Sequence, residues 1–137
     1  MEKLKTLFAD TAQALTTLDQ ALALPSSVLV RDATIQRFEY CFELSWKLLK
    51  TALADVEGLA CESPKGCFRA AFQAGWLDEA ETLTALDMVD DRNRTVHLYR
   101  EPLAVEVHAR IPGYRALLGH LRDRIAVAAG YSEPVRA

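Results

Sequence analysis

Between residues 92 and 99 the chain places Arg92, Asn93, His97 and Tyr99 close together. Arginine is permanently charged, and its planar fork matches phosphate oxygens. Histidine exchanges protons near neutral pH, while the amide and the phenol add donors and acceptors. Together these groups suit chemistry on a phosphate, with Arg92 stabilising charge, His97 as general acid or base, and Asn93 orienting His97 or the phosphate. A purely structural reading stands beside it: Arg92 pairs with Asp87, Asp91 or Glu101, and His97 and Tyr99 merely finish a helix.

Helical geometry restricts the first reading. On an ideal helix Asn93 and His97 lie about 40° apart and Arg92 and Tyr99 about 20°, but Arg92 and His97 lie about 140° apart. Two arrangements relieve this: the helix loosens near its end, or a second copy brings its own motif across a twofold interface. The sequence reading favours the homodimer, which also supplies separate acid and base histidines. A position near a helix C-terminus favours the protonated imidazole.

Other chemically capable residues read more simply. Glu39, Glu43 and Lys47 follow at four-residue spacing, the pattern of a helical salt bridge. Phe38, Phe42 and Trp46 share that spacing, which writes a bundle core more readily than a base-stacking face. Arg110, Arg115, Arg122 and Arg124 make the last helix partly basic, either as a solvated face or as a patch for RNA or an acidic partner. The three histidines have no metal-ligand spacing, so no metal is expected, and no cofactor motif is present. There is no phosphate-cradling Gly-rich loop and no Gly-x-Ser-x-Gly.

The elements that position these residues are legible as helices. Leu4, Leu7, Phe8, Leu15, Leu18 and Leu22 predict a first helix over about 2–24, ended by Pro25, Ser26 and Ser27. A second, over about 31–56, is apolar on most of its circumference, which predicts packing on two sides, within the bundle and across an oligomer interface. Gly58 stops it, and Ser63 with Pro64 starts a short helix to about Gln73. After Gly75, Asp78 and Glu81 form a capping-box start for a fourth helix over about 78–99, which Glu101 and Pro102 stop. The last helix, about 103–129, should be split or kinked at Pro112 and Gly113. The expected fold is all-α, a compact up-and-down bundle of about five helices in a single domain over 1–129, with a frayed tail over 130–137.

Composition agrees with this class. Half of the 137 residues are apolar and a quarter charged, as in an ordinary globular domain. No apolar run approaches a membrane span, and the N-terminus lacks a signal-peptide core, so a cytoplasmic location is expected. A net charge of −3 argues against holding nucleic acid by bulk attraction. Cys41, Cys61 and Cys67 form an odd set without a Cys-x-x-Cys pair, which fits a reducing compartment better than a disulfide framework.

Arg92, His97 and Tyr99 match the Arg-x4-His-x-Tyr motif of the HEPN superfamily in its HepT-like toxin form. The stretches 31–39 through Trp46 and Lys47, 63–75 and 90–93 resemble the nucleotidyltransferase substrate-binding protein branch, and the likeness covers about residues 1–126. The resemblance implies a homodimeric helical bundle working with a minimal nucleotidyltransferase, which must be a separate chain because no Gly-Ser dipeptide of that enzyme's signature occurs here. It further implies a metal-independent RNase, the toxin-like half of a toxin–antitoxin pair, silenced by AMP transfer onto Tyr99. The alternative it implies is a noncatalytic subunit that binds a nucleotide or RNA substrate for the transferase.

Overall fold

The computed structural model describes residues 2–131. Its five α-helices are α1 (Glu2–Leu22), α2 (Val28–Ala52), α3 (Pro64–Gln73), α4 (Glu79–Arg94) and α5 (Glu101–Ala128), with no strand among the described residues. A π-helical turn, Leu53–Glu57, extends α2, and a 3-10 turn, Thr95–His97, follows α4.

Local chemistry sets most boundaries. Ser27 caps α2 by accepting from the Val30 N–H at 3.1 Å, so this helix begins three residues before the expected 31. Gly58 closes the π turn with φ of 69°, a left-handed conformation that glycine adopts without a Cβ clash. Ser63 accepts from the Gly66 N–H at the start of α3, with Pro64 at its first position. Asp78 and Glu81 complete a reciprocal capping box at the start of α4, both bonds at 2.8 Å.

Two boundaries depart from expectation. Glu101 and Pro102 do not stop a helix; they open α5, after Arg100 has turned extended. Proline suits that place because the first turn has no use for its missing N–H. Pro112, expected to divide the last segment, lies inside an unbroken α5. Pro112 and Gly113 face outward, so the carbonyl left without a donor lies on the solvent side, where water can satisfy it.

Helix α2 is the centre of the packing, touching α1, α5 and α3, while α4 packs on α3 and α5. Its broad apolar surface is thus covered within the chain on several sides. Phe38 stacks on Tyr114 of α5 at 5.6 Å between centroids, and Phe42 meets Phe68 of α3 at 6.5 Å. Both phenylalanines are buried, as the core reading predicts, each burial stabilising the fold by roughly 1.5–3 kcal/mol.

The cysteines are not all unpaired: Cys61 and Cys67 form a disulfide. The loop before α3 folds back onto its first turn and brings the two Cα atoms to 5.2 Å, a proximity their six-residue separation does not announce. Cys41 is free and buried. Of the expected tail, Gly130 and Tyr131 turn back onto the bundle, with the Tyr131 ring edge-on to Phe8 at 4.9 Å; residues 132–137 lie outside the described residues. No helix among the described residues is long and apolar enough to cross a membrane.

Candidate functional site

The residues from 92 to 99 do not lie on one helix. Helix α4 ends at Arg94, and Thr95 tightens the next turn: its hydroxyl and its N–H both donate to the Arg92 carbonyl, the hydroxyl at 2.7 Å. The chain then runs through the 3-10 turn, and the Arg100 N–H donates to the His97 carbonyl at 3.0 Å. The loosened helix end, one of the two ways to relieve the angular conflict, is therefore present within a single chain.

Loosening brings His97 and Tyr99 together but not Arg92. The two rings meet edge to face at 6.1 Å, both exposed, Tyr99 to 77%. The Arg100 guanidinium lies 5.8 Å from the Tyr99 ring centroid. Asn93 is exposed, and its side chain makes no hydrogen bond with another described residue. Neither Arg92 nor Asn93 bonds to His97 or Tyr99.

Arg92 instead turns toward α2. Its Nη2 lies 3.5 Å from Glu43, its Nη1 donates weakly to Thr95 at 3.4 Å, and its Nε is buried with no partner among the described residues. None of the three carboxylates expected as structural partners holds it. Glu43 in turn is not the partner of Lys47: its other oxygen accepts from the Trp46 indole N–H at 3.2 Å.

Beside Tyr99 lies a shallow groove of about 330 Å³ between α2 and the turn before α5. Asp32, Ile35, Gln36 and Glu39 form one wall, and Thr95, Leu98 and Tyr99 the other. Arg31 donates to Glu101 at 2.7 Å, which joins the first turns of α2 and α5 and holds the Glu101 carboxyl below its ordinary range.

One residue that sequence reasoning treated only as a possible partner of Arg92 organises the neighbourhood. Asp91 is 1% exposed and receives donors from Arg94, Arg110 and Tyr114 at 2.6–2.9 Å. Burial pushes its carboxyl up, but those donors together outweigh burial and hold it below its usual value. The signal in the sequence is weak: Asp91 falls on the inner face of α4 with Met88, where a carboxylate needs a partner.

The arginines of α5 are engaged inside the chain rather than forming an open patch. Arg110 holds Asp91, Arg115 grips Asp19 through two nitrogens, Arg122 lies 3.6 Å over the Phe8 ring, and Arg124 donates to the Trp76 carbonyl at 2.6 Å. Among the described residues no group of three or more His, Cys, Asp or Glu side chains is placed to hold a metal ion.

Comparison with known proteins places these features in context. The family model described as nucleotidyltransferase substrate binding protein like matches residues 6–127. A crystal structure of a protein from Thermus thermophilus is 46% identical, with a TM-score of 0.81 over 84% of this chain and 98% of that one. A structure from Haemophilus influenzae, described as revealing the fold of a substrate-binding domain of a nucleotidyltransferase, is 22% identical with a TM-score of 0.62, over 90% of this chain and 97% of that one. At that identity it speaks for the shared helical fold alone. No curated protein matches the chain significantly.

Proposed function

Because the chain belongs to the nucleotidyltransferase substrate-binding-protein-like family, we propose that it is the substrate-binding subunit of a two-component nucleotidyltransferase whose catalytic subunit is a separate polypeptide. The observation that carries this reading is the groove beside Tyr99. It has apolar lining in Ile35 and Leu98, polar groups in Gln36 and Thr95, and an exposed hydroxyl at its rim that a second polypeptide can reach. Asp32 and Glu39 add carboxylates to its α2 wall, so the groove offers hydrogen-bonding groups beside a small apolar floor, a mixed lining that can orient a polar substrate. Co-purification with a minimal nucleotidyltransferase of the same organism, followed by a transfer assay, tests it. A stable complex whose transfer activity falls on Leu98→Asp is expected; no complex, or transfer that proceeds equally well without this chain, overturns it.

A second reading, the toxin-like RNase of the HepT-like HEPN branch, draws on one feature of Arg92. The contacts of its Nη atoms, at 3.4 and 3.5 Å, are long, so an incoming phosphate competes for that end of the guanidinium. In this reading His97 moves protons for attack of a ribose 2′-oxygen on the adjacent phosphorus and for departure of the 5′-oxygen, and Arg92 stabilises the crowded phosphate. Asn93 orients these groups, and a homodimer supplies the second histidine. AMP placed on Tyr99 by the partner adds bulk and negative charge beside the site and silences it. RNA cleavage lost in His97→Ala and in Arg92→Ala, with AMP found on Tyr99 by mass spectrometry after co-expression, is the expected result. Undiminished cleavage by His97→Ala removes the RNase reading, and an adduct elsewhere removes the switch.

A further inference from the structure

Further along α2 from the groove beside Tyr99, the start of α1 and the later turns of α2 line a second groove of about 470 Å³, within the roughly 300–1,000 Å³ of small-molecule sites. Lys3 and Leu7 line it from α1; Trp46, Lys47 and Lys50 line it from α2, and Asp55 is its one acidic residue. Three cations thus gather around one aromatic ring on a chain whose net charge is −3.

These cations are not spoken for in the way the arginines of α5 are. Lys3 and Lys47 make no ion pair among the described residues, and Lys50 reaches Glu62 only at 3.9 Å while lying 5.9 Å from the Trp46 ring centroid. Residues 46, 47 and 50 fall within about 100° of one another around α2, so their side chains leave the helix on one face. Glu43 accepts the indole N–H at 3.2 Å, which orients the ring.

We propose that this groove binds a nucleoside phosphate, with the phosphates on Lys3, Lys47 and Lys50 and the base against the indole of Trp46. Lysine ammoniums meet phosphates as point charges, and an indole offers a π-face to any base. An inorganic anion has no use for the ring or for Leu7, and an apolar ligand has none for three ammoniums. A long RNA strand fits less well, because its backbone needs a continued basic track and the arginines of α5 are occupied within the fold. The groove meets residues 92–99 only through Glu43, whose second oxygen faces Arg92, and the proposal does not depend on the function assigned to those residues.

The test is a titration of the full chain with ATP, adenosine, inorganic pyrophosphate and a short RNA, read by calorimetry and by tryptophan fluorescence. Trp46 and Trp76 are the only tryptophans, and Trp76 is buried, so quenching reports on the groove. Saturable ATP binding with quenching is expected, with pyrophosphate and adenosine each at least tenfold weaker. Lys3→Glu combined with Lys47→Glu should weaken ATP at least tenfold, and Trp46→Leu at least fivefold with loss of the quench. Lys5→Glu, on α1 outside the groove, should leave affinity unchanged, and circular dichroism confirms that each variant is folded. The proposal is overturned by absence of ATP binding, by pyrophosphate binding as tightly as ATP, by RNA binding without ATP binding, or by unchanged affinity in the folded double lysine variant.

Discussion

Arg110 of α5 grips Asp91 of α4 through two nitrogens, Nε to Oδ2 at 2.7 Å and Nη2 to Oδ1 at 2.9 Å. Tyr114, one turn further along α5, adds its hydroxyl to Oδ2 at 2.6 Å. Two helices are thereby locked at the residue immediately before Arg92, and the 3-10 turn that carries His97 starts from that fixed point.

Asp91→Asn should lower stability by about 2–3 kcal/mol, because it removes the charge that compensates two arginines and leaves a poorer acceptor for three donors. Arg94 and Arg110 are half exposed and recover water, which keeps the loss below that of a fully buried pair broken. Tyr114→Phe should cost about 1.5 kcal/mol, as expected for one hydrogen bond to a charged group. Urea denaturation of both variants and of their combination measures the values and their coupling.

The same carboxylate predicts an acid limb. Its folded-state value lies below that of the unfolded chain, so its contribution is present above about pH 4, the ordinary value for aspartate, and is lost as pH falls through the depressed folded value. Stability measured between about pH 5 and pH 2 should fall less steeply in Asp91→Asn than in the parent chain. Equal slopes would show that the carboxyl titrates alike folded and unfolded.

His97→Ala and Tyr99→Phe should change stability by no more than about 0.5 kcal/mol, since both side chains are exposed and contact chiefly each other. Thermal melts settle this, and it matters for every functional assay at the site: lost activity in these variants then reports chemistry rather than unfolding. A large drop in melting temperature for either one would mean that the ring contact supports the turn.

Thiol counting checks the cysteines. Burial pushes the Cys41 thiol up to about 12, so it stays protonated and unreactive at pH 8 in the folded chain. With Cys61 and Cys67 bonded, alkylation should modify no cysteine in the native protein, one after unfolding, and three after unfolding with reductant. Reduction should cost about 2 kcal/mol, the entropy of a short closed loop.

Much of this architecture is legible residue by residue. Ser63 with Pro64, the Asp78–Glu81 box and Gly58 act within three or four residues of themselves, so their consequences can be read along the chain. Phe38 and Phe42 announce a buried stripe by spacing alone. Pro102 misleads because proline both ends one helix and begins the next, and the local pattern does not say which; Pro112 misleads because only the packing of α5 shows that its outward face tolerates an unpaired carbonyl.

What the sequence by itself determined is the class, most of the helices and the closeness of Arg92, Asn93, His97 and Tyr99 along the chain, since periodicity and capping depend on neighbours a turn away. The tertiary structure alone decided the partners: Glu43 for Arg92, Arg110 and Tyr114 for Asp91, Cys67 for Cys61, and a groove that joins Lys3 to Trp46 across two helices. Charges and thiols select partners by where helices cross, and a crossing is set by the shape of the whole core.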